Sequence, residues 1–90
     1  MTMSNVIMYL TPYCPYCSRA AMLLKRKGVA FSELRIDTDT TLRQEMEQRS
    51  GRTSVPQIFI GDFHVGGCDE LFALEAEGKL DSHLSLNTAV

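Results

Sequence analysis

The chain has no tryptophan, only three cysteines and three prolines among its 90 residues, and no apolar stretch near the roughly 20 residues that a membrane-spanning helix needs. Three cysteines cannot pair off into a disulfide framework, and an odd, small number fits a reducing compartment. Positive charge is not in excess either. Nine Lys and Arg stand against eleven Asp and Glu, a formal net charge of −2, which argues against a general nucleic-acid surface. The segment Met1-Thr2-Met3-Ser4-Asn5 has no basic region ahead of an apolar stretch and no cleavage-site pattern, so no secretory signal is expected and the chain reads as cytoplasmic. Repeats, low-complexity tracts and linkers are also missing. With 44% hydrophobic and 22% charged residues, residues 1–90 are expected to form one ordinary globular domain that engages neither nucleic acid nor membrane.

What is present centres on Thr11-Pro12-Tyr13-Cys14-Pro15-Tyr16-Cys17. Two cysteines two residues apart, between an apolar run and a helix-like run, place a dithiol at a strand-to-helix junction. A helix N-terminus offers unpaired N–H groups and partial positive charge, which favour the thiolate that attacks disulfides. Pro15 suits the first helical position, so Cys14 falls at the cap and Cys17 one turn inside. The outer thiol is therefore expected to attack and the inner one to resolve. A Cys-x-x-Cys pair can instead be half of a zinc site, with His64 and Cys68 as further ligands. About 46 residues between the halves is far beyond the spacing usual for small zinc modules, so no metal is expected. A purely structural disulfide closing so short a loop would remove little chain entropy.

The rest of the chain frames that junction. Val6-Ile7-Met8-Tyr9-Leu10 is continuously apolar, as in a central strand buried on both faces. The following helix sets Cys17, Ala20, Ala21 and Leu24 on one stripe and stops at Gly28. Phe31 to Asp37 alternates like a half-exposed strand, giving strand, helix, strand in a parallel crossover. Asp39 or a neighbouring threonine caps a mostly solvated helix from about Thr40 to Ser50. Gln57–Ile60 and Phe63–Val65 flank Gly61-Asp62 and predict a tight hairpin, with His64 an exposed strand residue. Gly66-Gly67 ends the strand, and Asp69 is expected to cap a helix that runs to Gly78. The tail from Lys79 is expected to be helical at its start and frayed at its end. The basic cluster Arg19, Lys25, Arg26 and Lys27 and the acidic residues Asp69, Glu70, Glu75, Glu77 and Asp81 read mainly as two solvated faces. The order β-α-β-α-β-β-α predicts an α/β fold with a four-stranded mixed sheet flanked by three or more helices, and Cys14 at the carboxyl end of the first strand.

Three segments together resemble the glutaredoxins, in particular the short bacterial dithiol type: Cys14-Pro15-Tyr16-Cys17 after a strand, Thr53-Ser54-Val55-Pro56-Gln57-Ile58-Phe59-Ile60, and Gly66-Gly67-Cys68-Asp69-Glu70-Leu71. Their order and separation make the resemblance span nearly the whole chain. A thioredoxin proper would show Trp before the motif and Gly-Pro inside it. The resemblance implies a thioredoxin-like fold and glutathione-dependent thiol–disulfide exchange. Cys14 would attack and Cys17 would resolve, acting on protein disulfides and glutathionylated proteins. Glutathione would be the reducing co-substrate, with no cofactor bound permanently, and the protein would be a monomer. The Ser54-Val55-Pro56 loop, with a cis bond before Pro56, would present the Val55 backbone to glutathione. Gly67, Cys68 and Asp69 would hold its γ-glutamyl end, and Tyr16 would stack beside it. Cys68 reads otherwise as a small buried thiol, and Tyr13 as part of the rim.

One position departs from the family pattern. Relatives commonly have a lysine three residues before the nucleophile, facing the glycine carboxylate of glutathione; here that position is Thr11. Arg52, or less readily Arg19, would supply the replacement charge. A different class of function, a dimeric carrier that bridges a [2Fe–2S] cluster through Cys14 and glutathione, is disfavoured by Pro15, since cluster-binding members usually have a smaller or more flexible residue there.

Overall fold

The computed structural model describes residues 5–84. Its elements are β1 (Val6–Leu10), α1 (Pro15–Arg26), β2 (Ser32–Arg35), α2 (Thr40–Ser50), β3 (Gln57–Ile60), β4 (Phe63–Gly66), α3 (Cys68–Ala76) and α4 (Leu80–Leu84). The strands form one mixed sheet in the order β2-β1-β3-β4, with β1 parallel to β2 and antiparallel to β3, and β3 antiparallel to β4. The switch from parallel to antiparallel pairing falls at β1–β3, after α2, and the two-residue hairpin turn then adds β4 at the sheet edge. The fold is therefore the expected α/β arrangement. The helical start of the tail is α4; its expected fraying falls on residues 85–90, and the leader expectation on residues 1–4, both outside the described residues.

Side-chain alternation divides the core between the two faces of the sheet. Val6, Met8 and Leu10 of β1 and Ile58 and Ile60 of β3 face α1, α3 and α4, where they pack with Ala20, Leu24, Leu71, Leu80 and Leu84. Tyr9 and Phe59 point the other way and meet Ile36 and Met46 under α2. A central strand covered on both sides has no polar face to show, which is why β1 reads as an unbroken apolar run. Helix α2 buries only Met46, so its sequence is mostly polar.

Two charged groupings do more than face solvent. Lys27 Nζ lies 2.8 Å from both Glu75 Oε1 and Asp81 Oδ1, joining the C-terminal end of α1 to α3 and α4. Those charges were read as solvated faces; only the three-dimensional packing of α1 on α3 brings them together. Under α2, Tyr9 donates to the Glu45 carboxylate while Arg49 Nη1 donates to Tyr9 Oη at 3.0 Å and its guanidinium lies 4.1 Å over the Phe59 ring. Burial, then the Glu45 hydrogen bond, pushes the Tyr9 hydroxyl above its usual range, so the phenol stays protonated and keeps its donor role.

Candidate functional site

Cys14 is the N-cap residue of α1, with extended backbone angles, and Pro15 begins the helix as expected. Its sulfur accepts from the Cys17 backbone N–H at 3.4 Å, taking up one donor that the first helical turn cannot satisfy internally. On its other side the thiol donates to the Val55 carbonyl at 3.7 Å. The sulfur thus sits between a helix terminus and a loop backbone, half-buried and reachable. Cys17 differs in every respect. It is buried against the α1 side of the core, and burial, opposed in part by a Thr11 backbone hydrogen bond, pushes its thiol up to about 12. At neutral pH Cys17 therefore stays protonated, a difference between the two sulfurs that comes from their surroundings. All three cysteines are free thiols.

Beside Cys14 lies an open cleft of about 170 Å3, lined by Tyr16 from α1, Arg52 to Gln57 without Thr53, and Gly67 to Glu70 from the start of α3. The Val55–Pro56 bond is cis. The fold brings Tyr16, Arg52, Ser54, Val55, Pro56, Gly67, Cys68 and Asp69 around this one cleft. Thr11 is not among them: it lines a separate depression with Cys17, Ser18 and Lys25. Cys68 is buried, and burial, then the Asp69 charge, raises its thiol, which matches the reading of an inert packed cysteine.

Two expectations need correction. Helix α3 starts at Cys68 with Gly67 as its N-cap, so Asp69 is not the cap; it stands in the first turn and faces the cleft. The cap bond comes instead from Glu70, whose Oε1 accepts from the Gly67 N–H at 2.6 Å. A carboxylate three residues into a helix can reach back in this way, and the sequence signal for it was the Gly-x-x-Glu spacing. Gly66 makes room for that carboxylate: its φ of +111° is open only to glycine, and a Cβ there would lie 2.8 Å from Glu70 Oε1. The second correction is His64, which is half-buried, its ring stacked on Phe59 at 4.7 Å and its Nε2 2.7 Å from Gln57 Oε1. It therefore stands with Gln57 and not with the cysteines.

Glu70 and Gln57 are the cleft residues that sequence reasoning missed. Glu70 Oε2 lies 3.5 Å from Arg52 Nη1, so one side chain ties the cation on one wall to the helix start on the other. The Gly67 N–H bond, ahead of the Arg52 charge, holds the Glu70 carboxyl below its usual range. Gln57 is 1% exposed, the one buried polar residue among the described residues, and its Nε2 donates to the Ser54 carbonyl at 3.1 Å. An amide inside the apolar run Gln57-Ile58-Phe59-Ile60 has to find partners, and it spends them on the cleft loop.

The chain is similar to known proteins along most of its length. The glutaredoxin family model matches residues 6–65. "Glutaredoxin 3" of Escherichia coli K12 is 58% identical over 79 residues, covering 88% of this chain and 95% of that one. "Glutaredoxin" of Pseudomonas aeruginosa is 55% identical over 83 residues, 92% of this chain and 99% of the other. The crystal structure of a buckwheat glutaredoxin–glutathione complex superposes with a TM-score of 0.84 at 29% identity, covering 97% of this chain and 82% of that one.

Proposed function

The chain belongs to the glutaredoxin family, whose members are glutathione-dependent thiol–disulfide oxidoreductases, and we propose that its cleft seats the glutathione half of a mixed disulfide against Cys14. The observation that carries the proposal is the contact between Cys14 Sγ and the carbonyl of Val55, which lines a cleft that also includes the N-terminus of α3. Glutathione is a peptide with two carboxylates and one ammonium, and each has a counterpart. The Val55 backbone pairs with its peptide groups. The Cys68 and Asp69 N–H groups, in a helical turn that leaves them without intrahelical acceptors, receive the γ-glutamyl carboxylate. Asp69 faces the ammonium, Tyr16 covers the ligand, Ser54 and Pro56 shape the loop, and Arg52 faces the glycine carboxylate.

With the ligand so placed, the Cys14 thiolate attacks the glutathione sulfur and the protein thiolate departs, taking a proton from solvent. A second glutathione thiolate then attacks that sulfur, releasing oxidised glutathione and returning Cys14. On a protein disulfide, Cys14 forms a mixed disulfide with the substrate; Cys17, deprotonated as it attacks, closes the Cys14–Cys17 disulfide and expels the substrate, and two glutathiones restore the dithiol. The reading extends to protein disulfides and glutathionylated proteins as substrates, a monomeric state, no permanently bound cofactor and a reducing, cytoplasmic setting, which an odd, small number of cysteines suits.

The test is turnover of a small glutathione mixed disulfide with glutathione as sole reductant. Wild type and Cys17→Ser should both turn over, since glutathione itself can release the intermediate, and Cys14→Ser should be inert. Activity in Cys14→Ser, or none in wild type, would overturn the assignment.

A further inference from the structure

Helix α1 has a surface that the thiol chemistry does not use. Beyond Tyr16, positions 19, 22, 23 and 26 recur at helical spacing on one side of α1. Arg19, Met22, Leu23 and Arg26, with Phe72 of α3, enclose a depression of about 150 Å3 on the seam between the two helices. Met22 is 65% exposed and Phe72 38%, large apolar side chains left in water. The cations that flank them, Arg19 and Arg26, have no carboxylate partner among the described residues. Helix α1 contains no Asp or Glu at all, a local reversal in a chain whose net charge is −2. The seam also runs into the reactive site, because the Arg19 guanidinium lies 5.7 Å from the centre of the Tyr16 ring that lines the cleft.

Apolar side chains between unpaired arginines select for apolar side chains between carboxylates. We propose that this seam docks the segment flanking the reactive cysteine of an oxidised protein substrate, a segment in which bulky apolar residues alternate with Asp or Glu; the proposal rests on the thiol–disulfide function given above. The helix sets the register. At about 1.5 Å per residue, Met22 and Arg26 lie roughly 9 and 15 Å along α1 from Tyr16. An extended peptide covers that distance in about three to five residues, so the acidic and apolar positions fall there, counted from the peptide residue that lies over Tyr16.

Two synthetic glutathionylated peptides test the idea, one with Leu, Phe and two Glu at those positions and the other with Lys in place of each Glu, alongside a small glutathione mixed disulfide. Wild type should turn over the acidic peptide with a kcat/KM about fivefold or more above the basic one at low salt, and the gap should narrow at high salt. Arg26→Glu should remove about fivefold from the acidic peptide, improve the basic one, and leave the small mixed disulfide unchanged. Met22→Ser should weaken both peptides and spare the small substrate. Equal turnover of the two peptides by wild type overturns the proposal, as does an equal fall on all three substrates in Arg26→Glu. Concentration-dependent self-association that Arg26→Glu abolishes would assign the seam to a second copy of this chain and also overturn it. A wild type that turns over the peptides but not the small mixed disulfide would refute the cleft reading instead.

Discussion

Glu70→Gln isolates a single question, because Gln keeps an Oε1 that can accept from the Gly67 N–H and loses only the charge beside Arg52. The Arg52 pair is long, at 3.5 Å, and both side chains are almost half exposed. Exposed pairs of this kind are worth about 0.2–1 kcal/mol, so releasing Arg52 can add up to about 1 kcal/mol to its interaction with a ligand carboxylate. That is about fivefold in affinity. A loss opposes the gain, since Glu70 also steadies Arg52, and ordering a long side chain costs about 0.5–1.5 kcal/mol. A contact at 3.5 Å on an exposed side chain imposes little order, so release should win. Glutathione carries a net negative charge at neutral pH, which acts in the same direction once a neighbouring carboxylate is neutralised.

The expected result is a two- to fivefold lower KM for glutathione in Glu70→Gln at low salt, shrinking as salt rises, with kcat unchanged. In an Arg52→Ala background most of the gain should disappear, leaving only the smaller part that comes from neutralising a carboxylate near an anionic ligand. Stability gives an independent control. Glu70→Gln should shift Tm only slightly near neutral pH, whereas Glu70→Ala loses the cap bond, worth about 1 kcal/mol or roughly 4–8 °C in a domain of this size. Because the folded Glu70 carboxyl lies below its ordinary value, its contribution to stability is complete above that value and is lost as pH falls through the folded one; Glu70→Gln should flatten that part of the acid limb. A KM that rises in Glu70→Gln, or that falls equally with and without Arg52, would refute this account of Arg52 as the ligand's cation.

Thiol alkylation should show one fast-reacting group per chain near pH 8, because Cys14 is the reachable sulfur while Cys17, pushed up to about 12, and Cys68 are buried and protonated; fast labelling that survives Cys14→Ser would contradict this. Thr11 lies outside the cleft lining, but a lysine is long enough to extend from that strand end toward it. Thr11→Lys should lower the KM for glutathione by no more than about fivefold, with the effect lost at high salt; an unchanged KM would leave Arg52 as the sole cation for the glycine carboxylate.

The fold was legible because each element obeys a local rule. β1 reads as buried on both sides since nothing polar interrupts it, and Asp39 accepts from the Leu42 N–H as an N-cap should. Gly61-Asp62 closes the hairpin, and Pro15 marks the first residue of α1. The dithiol was legible for the same reason, since both sulfurs belong to one turn. What was not legible are contacts between elements. Lys27 meets Glu75 and Asp81 only because α1 packs against α3 and α4, and no spacing along the chain records that approach.

His64 shows the limit most clearly. It is expected to be an exposed strand residue, but the two-residue turn sets Ile60 opposite Phe63 and His64 opposite Phe59, and the pairing slips only beyond them, where Ile58 stands opposite Gly66. That direct cross-strand pairing sets His64 on Phe59, on the α2 side of the sheet, and within 2.7 Å of Gln57. Burial, then the Arg52 charge, holds the imidazole below its usual range, so it is mostly neutral at pH 7 and one ring nitrogen carries the single N–H. Gln57 decides which. Its Nε2 is already committed as donor to the Ser54 carbonyl, so its Oε1 is the acceptor and His64 Nε2 must be the donor. The chain His64, Gln57, Ser54 is therefore polar in one direction and ends on the loop beside Cys14. A buried amide at the first position of β3 is what fastens that loop to the sheet.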